Sequence, residues 1–315
     1  MTVRLSLLSA AALLLALTPA EAQHHAATEA GWRAWAEVAS KGRFAPEPAK
    51  VLADAPLSSW SAVQRGDIKI ERIRYPSDGL QITGFIVRPK KLSGLRPVLV
   101  WARGGIGDVE QDEIQFAQMA SWVERGYIVI GSNYRGSAGS QGKDEFAGAD
   151  VDDLVALLPE IARIPGANSG QLYGIGFSRG GTMLLRAAAG RISFNAIATA
   201  GALTDLQLAV DQRPELGKAL SQMMPDYAAE RAKRFCGRSA VCWPERISAP
   251  VLISQGGADQ SVSVEHSFRL AKALEGAKKP YRLLVIGGGN HPIDGSRQLF
   301  FDEANRLFRS TFEDD

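Results

Sequence analysis

The residues able to do covalent chemistry fall in three short stretches of the 315-residue chain. The first is Gly176-Phe177-Ser178-Arg179-Gly180-Gly181, which reads G-x-S-x-G. The residues before it read as a loop entering a short buried strand, and Thr182–Ala189 after it read as a helix that stops at Gly190. Strand, tight turn and helix is the setting in which this motif holds a serine on a strained corner with its hydroxyl exposed. A Gly/Ser-rich turn without chemistry has the same local pattern, so the rest of the chain must decide.

A nucleophilic serine needs a base to take its proton and an acid to orient that base. Of the four histidines, His24 and His25 precede the domain and His266 falls within a helix, where a surface position is expected. His291 lies in Gly287-Gly288-Gly289-Asn290-His291-Pro292, a Gly-rich loop after the last strand-like run. The carboxyl ends of strands are where an open α/β sheet places its site residues, so His291 is the expected base. Asp259, in Gln255-Gly256-Gly257-Ala258-Asp259 after the preceding strand, is the expected acid. The competing readings are a loop histidine and a turn aspartate, each capping a following helix. The chain order Ser178, Asp259, His291 is one of the known triad orders. An acyl-transfer site also needs two donors for the developing oxyanion. The Arg179 amide is one candidate. The loop Arg103-Gly104-Gly105-Ile106-Gly107 supplies the other, through the Gly104 backbone or the Arg103 guanidinium. Alternatively, Arg103 turns away and pairs with a nearby acid, which holds the loop.

The elements that must carry these residues are legible as hydrophobic patterns. Ile68–Tyr75 and Leu80–Val87, separated by Pro76-Ser77-Asp78-Gly79, read as an antiparallel hairpin with one wet face. Continuous apolar runs follow at Val98–Ala102, Tyr127–Ser132, the strand into Ser178, Phe194–Ala200, Val251–Ser254 and Tyr281–Ile286. Such runs fit a parallel sheet covered on both faces. Helices are expected over 110–125, 149–162, 264–276 and 296–312. The resulting expectation is an eight-stranded, mostly parallel sheet with helices on both faces. Residues 204–245 are too long for a simple connection and read as a helical insertion, a candidate lid. Met223, Tyr227 and Trp243 within it, together with Tyr134, are the candidate substrate wall.

Composition adds bounds. Lys and Arg total 36 against 34 Asp and Glu, so no nucleic acid or acidic membrane partner is expected. Met1–Arg4, the apolar run Leu5–Leu17 and Thr18-Pro19-Ala20-Glu21-Ala22 read as a secretory signal peptide cleaved after Ala22. That run is shorter than the ~20 residues of a membrane span, although an uncleaved anchor is the alternative. Residues 23–65, with Trp32, Trp35 and Trp60, read as a helical extension ahead of a catalytic domain at 66–315. An exported chain meets oxidising conditions, so Cys236 and Cys242 are expected to pair. No histidine or further cysteine lies near them to complete a metal site, and neither metal nor cofactor is expected.

With these residues in place, the chain from Ile68 to Phe312 resembles the α/β-hydrolase catalytic domain of the prolyl oligopeptidase family. The matching stretches are Tyr75-Pro76-Ser77-Asp78-Gly79, Asn133-Tyr134-Arg135-Gly136-Ser137, the Ser178 motif, Gly201-Ala202-Leu203-Thr204-Asp205 and the surroundings of Asp259 and His291. The resemblance implies a serine hydrolase working through an acyl-enzyme, often on peptides. Three departures stand out. The β-propeller of larger relatives has no room ahead of the domain. Relatives often read Asp-x-Arg-Val at the acid, the Arg holding a substrate carbonyl, whereas this chain reads Asp259-Gln260-Ser261-Val262. Relatives carry His or Tyr before the Gly-Gly pair, whereas this chain has Arg103. The expected activity is hydrolysis of short peptides or peptide-like amides by a periplasmic or secreted enzyme. A carboxylesterase on the same triad is the alternative, and a binding protein without hydrolytic activity is a third reading.

Overall fold

The computed structural model describes residues 50–51, 67–109, 113–225, 227–291 and 293–311. The signal-peptide reading, the helical extension over 23–65 apart from residues 50–51, and the helix start at 110 lie outside the described residues.

One sheet organises the chain. Its strands are β1 (Lys50–Val51), β2 (Ile68–Ser77), β3 (Leu80–Pro89), β4 (Arg96–Ala102), β5 (Ile128–Ser132), β6 (Ala167–Phe177), β7 (Ala196–Ala200), β8 (Val251–Gly256) and β9 (Tyr281–Ile286). Their spatial order is β1-β2-β3-β5-β4-β6-β7-β8-β9. The pairs from β5 through β9 are parallel, and those among β1, β2, β3 and β5 are antiparallel. The eight expected strands are all present. The ninth, β1, comes from the segment read as a helical extension and pairs Lys50 with Arg74 on β2.

Residue alternation divides the core. On β4, Val98, Val100 and Ala102 face one apolar layer, and Leu99 and Trp101 face the other. The first layer is closed by α2 (Val151–Val155), α3 (Leu157–Ile161) and α4 (Arg179–Ala188), with α8 (Glu265–Gly276) further along. The second is closed by α1 (Glu113–Glu124) and α9 (Arg297–Ser310), whose Phe116, Trp122, Phe300, Phe301 and Phe308 are buried. A single helix expected over 149–162 is divided at Ala156. Pro159 has no N–H to donate to the carbonyl four residues earlier, and the helical ladder breaks there.

The order in which strands are added reverses around β4. The connection from β4 leads to β5 on one side, and the connection from β5 leads to β6 on the other. The loops leaving β4 and β6 therefore part and leave a crevice at the carboxyl edge. Between β7 and β8 the insertion forms α5 (Leu206–Gln212), α6 (Pro214–Met223) and α7 (Tyr227–Cys236) around a small apolar cluster of its own.

Candidate active site

Ser178 stands between β6 and α4 with φ 52° and ψ −124°. A non-glycine residue in this region carries strain of roughly 1–3 kcal/mol, held only where its surroundings over-determine it. Here Ser178 N donates to Ala200 O at 2.8 Å, and Ser178 O accepts from Gly181 N at 2.9 Å. The flanking glycines are steric requirements. A Cβ on Gly176 would lie 2.6 Å from Gly180 O, and one on Gly180 would lie 2.0 Å from Ala102 O. Beneath the corner, Phe177 packs on Trp101 and Phe300 at centroid distances of 5.1 and 5.7 Å.

Asp259 and His291 leave the ends of β8 and β9. His291 Nδ1 is 2.7 Å from Asp259 Oδ2. Asp259 Oδ1 accepts the amides of Ser261 and Val262 at 2.7 and 2.8 Å, and Gln255 Nε2 donates to Oδ2 at 2.8 Å. Burial alone would raise the Asp259 pKa. The hydrogen bonds from His291 and the Val262 amide, with the imidazole's charge, outweigh it and hold the carboxyl below its ordinary value. Gly201, at the end of β7, has φ 61°, and a Cβ there would lie 3.1 Å from the His291 ring. The loop after β7 is thus the floor under the imidazole. Neither Ser178 Oγ nor His291 Nε2 is hydrogen-bonded among the described residues. Such bonds in ligand-free sites are often long and tighten with substrate.

On the oxyanion side, the backbone at Gly104 passes close to the nucleophile: a Cβ there would lie 3.3 Å from Ser178 Cβ. The Arg103 guanidinium turns away from that space. Its Nε and Nη2 donate to Asn133 O at 3.1 and 2.6 Å, and Nη1 donates to Gly104 O at 2.9 Å. Burial lowers its pKa to about 10. Arg103 thus turns away as in its second reading, but it braces the loop through backbone carbonyls rather than through an acid. It also stacks on Tyr134, 4.7 Å from the ring centroid.

Several other expectations are corrected. Tyr134 is fully buried, with its hydroxyl donating to Arg103 O, because its left-handed backbone (φ 65°) folds the ring under the loop. It is not a substrate wall. Trp243 is also core: its Nε1 donates to Cys236 O and its ring joins the first apolar layer. Met223 and Tyr227 are half-buried against the insertion's cluster, which includes Leu203 and Val262 from the site loops. His266 is 1 % exposed rather than on the surface. Its Nδ1 accepts from Thr204 N, and Thr204 Oγ1 donates to His266 O at 2.7 Å, which ties α8 to the loop after β7. Burial lowers its pKa to about 4. Cys236 and Cys242 are bonded, with Cα atoms 5.6 Å apart.

The sequence reading missed what holds the nucleophile from behind. The Arg179 side chain is 1 % exposed and forms ion pairs with Asp144 and Asp150, with Nη2–Asp144 Oδ1 at 2.7 Å. Its Nη1 also donates to Gly105 O at 3.2 Å, tying the elbow to the oxyanion loop. A parallel network explains two of the family-like stretches. Arg135 Nη2 meets Asp153 at 2.8 Å and Asp78 at 3.1 Å, and Ser77 Oγ donates to Asp153. The hairpin turn and the loop after β5 are thus one unit, although 57 residues separate Asp78 from Arg135. The signal for these partners was weak, since an isolated acid in a loop looks solvated. Among the described residues no cluster of His, Cys, Asp and Glu could hold a metal ion.

Comparison with known proteins follows this geometry. The Prolyl oligopeptidase family model matches residues 114–309. An "Uncharacterized peptidase YtmA" of Bacillus subtilis (strain 168) is 27 % identical over 214 residues, 68 % of this chain and 82 % of that protein. The uncomplexed acylaminoacyl peptidase of Pyrococcus horikoshii superposes with a TM-score of 0.67 at 18 % identity, over 82 % of this chain and 43 % of that one. A puromycin-hydrolyzing peptidase of Mycobacterium tuberculosis superposes with a TM-score of 0.61 at 26 % identity, over 82 % of this chain and 39 % of that one. The chain thus spans about two fifths of the length of these solved structures.

Proposed function

The chain belongs to the prolyl oligopeptidase family, and on that premise we propose that it is an exported serine peptidase acting on short peptides or peptide-like amides. The observation that carries the reading is the joint one: a serine at φ 52° on a strand–helix corner, and a histidine 2.7 Å from a buried carboxylate two strands farther along the same edge. Ser178 Oγ attacks the scissile carbonyl while His291 takes its proton. Asp259, kept ionised by its bond to His291 and by the Val262 and Ser261 amides, orients the ring and stabilises the imidazolium. The oxyanion meets the Arg179 amide and the backbone of the Gly104 loop. His291 then protonates the leaving amine, and water releases the acyl group by the same path.

The helical insertion is the candidate lid, with Met223 and Tyr227 at its half-buried face. Export is supported by the Leu5–Leu17 pattern and by the Cys236–Cys242 bond. Ester hydrolysis is the alternative, because the same triad serves either acyl group.

The test is to treat the mature protein with a fluorophosphonate and locate the label, then to assay aminoacyl amides, puromycin and short acyl esters. Labelling at Ser178 with amide turnover is the expected result. Ester turnover without amide turnover would favour the alternative, and no labelling at Ser178 would sink both.

A further inference from the structure

The support behind the nucleophile does not end at its two acids. Phe146 and Ala147 have φ of 51° and 59°, two successive non-glycine residues in the left-handed region. That backbone persists only where neighbours fix it. From one side it is fixed by carboxylates: Asp144 Oδ1 accepts Phe146 N at 2.8 Å, and Asp150 Oδ2 accepts Ala147 N at 3.0 Å. These are the same two acids that hold Arg179. From the other side it is fixed by one side chain. Arg238 Nε donates to Phe146 O at 2.9 Å and to Glu145 O at 3.3 Å, and its Nη2 donates to Glu145 O at 3.2 Å.

Arg238 is 4 % exposed. Its strongest hydrogen bonds go to backbone carbonyls, and the nearest carboxylate oxygen, Glu145 Oε2, is 3.9 Å away. Burying a cation against neutral acceptors is costly, and an apolar residue would fill the space more cheaply. What the guanidinium supplies is a planar fork that fits two successive carbonyls. Arg238 is itself fixed by the ring that the disulfide closes. Within that ring Ser239 Oγ donates to Phe235 O at 2.7 Å and accepts Leu206 N at 2.9 Å, while Trp243 Nε1 donates to Cys236 O at 2.9 Å.

We propose that Arg238, held by the Cys236–Cys242 ring, is a positioning residue for the nucleophile elbow and the oxyanion loop. This rests on the reading of Ser178 as nucleophile. The path runs from the ring through Arg238 to the 145–146 carbonyls, from there to Asp144 and Asp150, and then to Arg179. Arg179 is the residue after Ser178, and its guanidinium also reaches Gly105 O. Loosening Arg238 therefore shifts both halves of the oxyanion site together. Arg238 lies within the insertion and Phe146 packs in its apolar cluster, so the effect is read in the labelling rate at Ser178.

The experiment compares the parent, Arg238→Ala, Arg238→Lys and a Cys236→Ser/Cys242→Ser double variant in which Arg238 is intact. Fluorophosphonate labelling rates, kcat and KM are measured well below each melting temperature. Arg238→Ala should label about 10²-fold more slowly, as expected for misplacement on the order of 1 Å. Added guanidinium should restore part of the rate to Arg238→Ala and none to the parent. Arg238→Lys and the cysteine variant should fall between, as should the parent reduced with a phosphine. If Arg238→Ala does not fold, the cysteine variant and the reduced parent carry the test. Labelling within about threefold of the parent in those two forms, or in a folded Arg238→Ala, overturns the proposal. A parent that is not labelled at Ser178 overturns the nucleophile reading and this proposal together, whereas a labelled parent with indifferent variants overturns this one alone.

Discussion

Ser178 leaves the middle of the sheet and His291 leaves its edge, and the chain supports them by different means. Around Ser178 the contacts are tight and charged. Gly180 lies where a methyl would meet Ala102 O at 2.0 Å, and Arg179, Asp144 and Asp150 are sealed behind the turn. Around His291 the support is main-chain contact and one carboxylate. Ala258 N donates to Gly289 O at 2.9 Å, and the imidazole is a quarter exposed. Gly287 and Gly288 have open space where a side chain would go, and β9 is half exposed along its length. The contrast suits the roles proposed for the two residues. A serine in a strained conformation holds its place only if its surroundings leave no alternative. A base that takes a proton from serine and returns it to a leaving group needs orientation and room to tilt.

The comparison breaks first if the two sides are not one catalytic unit. Ser178→Ala and His291→Ala should each lower kcat by about 10⁶-fold, and the double variant should be no worse than either. Single-turnover assays would show this. A merely tenfold loss for His291→Ala would mean that another group serves as base.

The next effect tests the charged side. Asp144→Asn leaves the Arg179 cation with one carboxylate in place of two, and should cost about 3 kcal/mol of stability. Chemical denaturation monitored by tryptophan fluorescence measures this. An unchanged midpoint would mean that Asp150 alone satisfies the guanidinium.

A third test concerns the floor shared by the two sides. His266 is neutral and buried, with Asp205, Arg269, Asp259 and Glu265 around it, and its pKa is lowered to about 4. The unfolded chain, with an ordinary histidine pKa near ~6.5, binds a proton that the folded chain refuses. Its contribution is therefore neutral above that value, becomes destabilising as pH falls through this window, and is complete below about 4. The total is about 3 kcal/mol. His266→Asn keeps an acceptor for Thr204 N and removes the titration. Its stability should fall less than the parent's between pH 7 and pH 4, and parallel curves would refute the assignment. Asp259, whose pKa is lowered, acts in a more acidic range and stabilises until it is protonated.

The smallest effect is at the edge. Gly287→Ala meets nothing within 4 Å and should change stability by less than about 0.5 kcal/mol, with kcat nearly unchanged. A large loss of activity there would mean that the His291 loop is as constrained as the elbow.

Hydrophobic period and turn chemistry determined much of this protein without its coordinates. Continuous apolar runs mark β4 to β8 because both of their faces are covered, and G-x-S-x-G marks the corner because side chains at 176 and 180 have no space there. Asp259 and His291 were legible from their loops after successive strands, since a parallel sheet gathers its carboxyl ends on one edge. Side-chain direction was decided by tertiary structure. Arg103 turned to Asn133 O, Tyr134 and Trp243 turned inward, and His266 was buried under Thr204, because each local pattern fits either face until its neighbours are known. Partners distant in sequence were invisible for the same reason. Asp144 lies 35 residues from Arg179, and Arg238 lies 92 residues from Phe146. A buried charge in such a network is indistinguishable in sequence from a solvated one. Only the fold brings the compensating charge or carbonyl to it, and without that partner the burial would be too costly to persist.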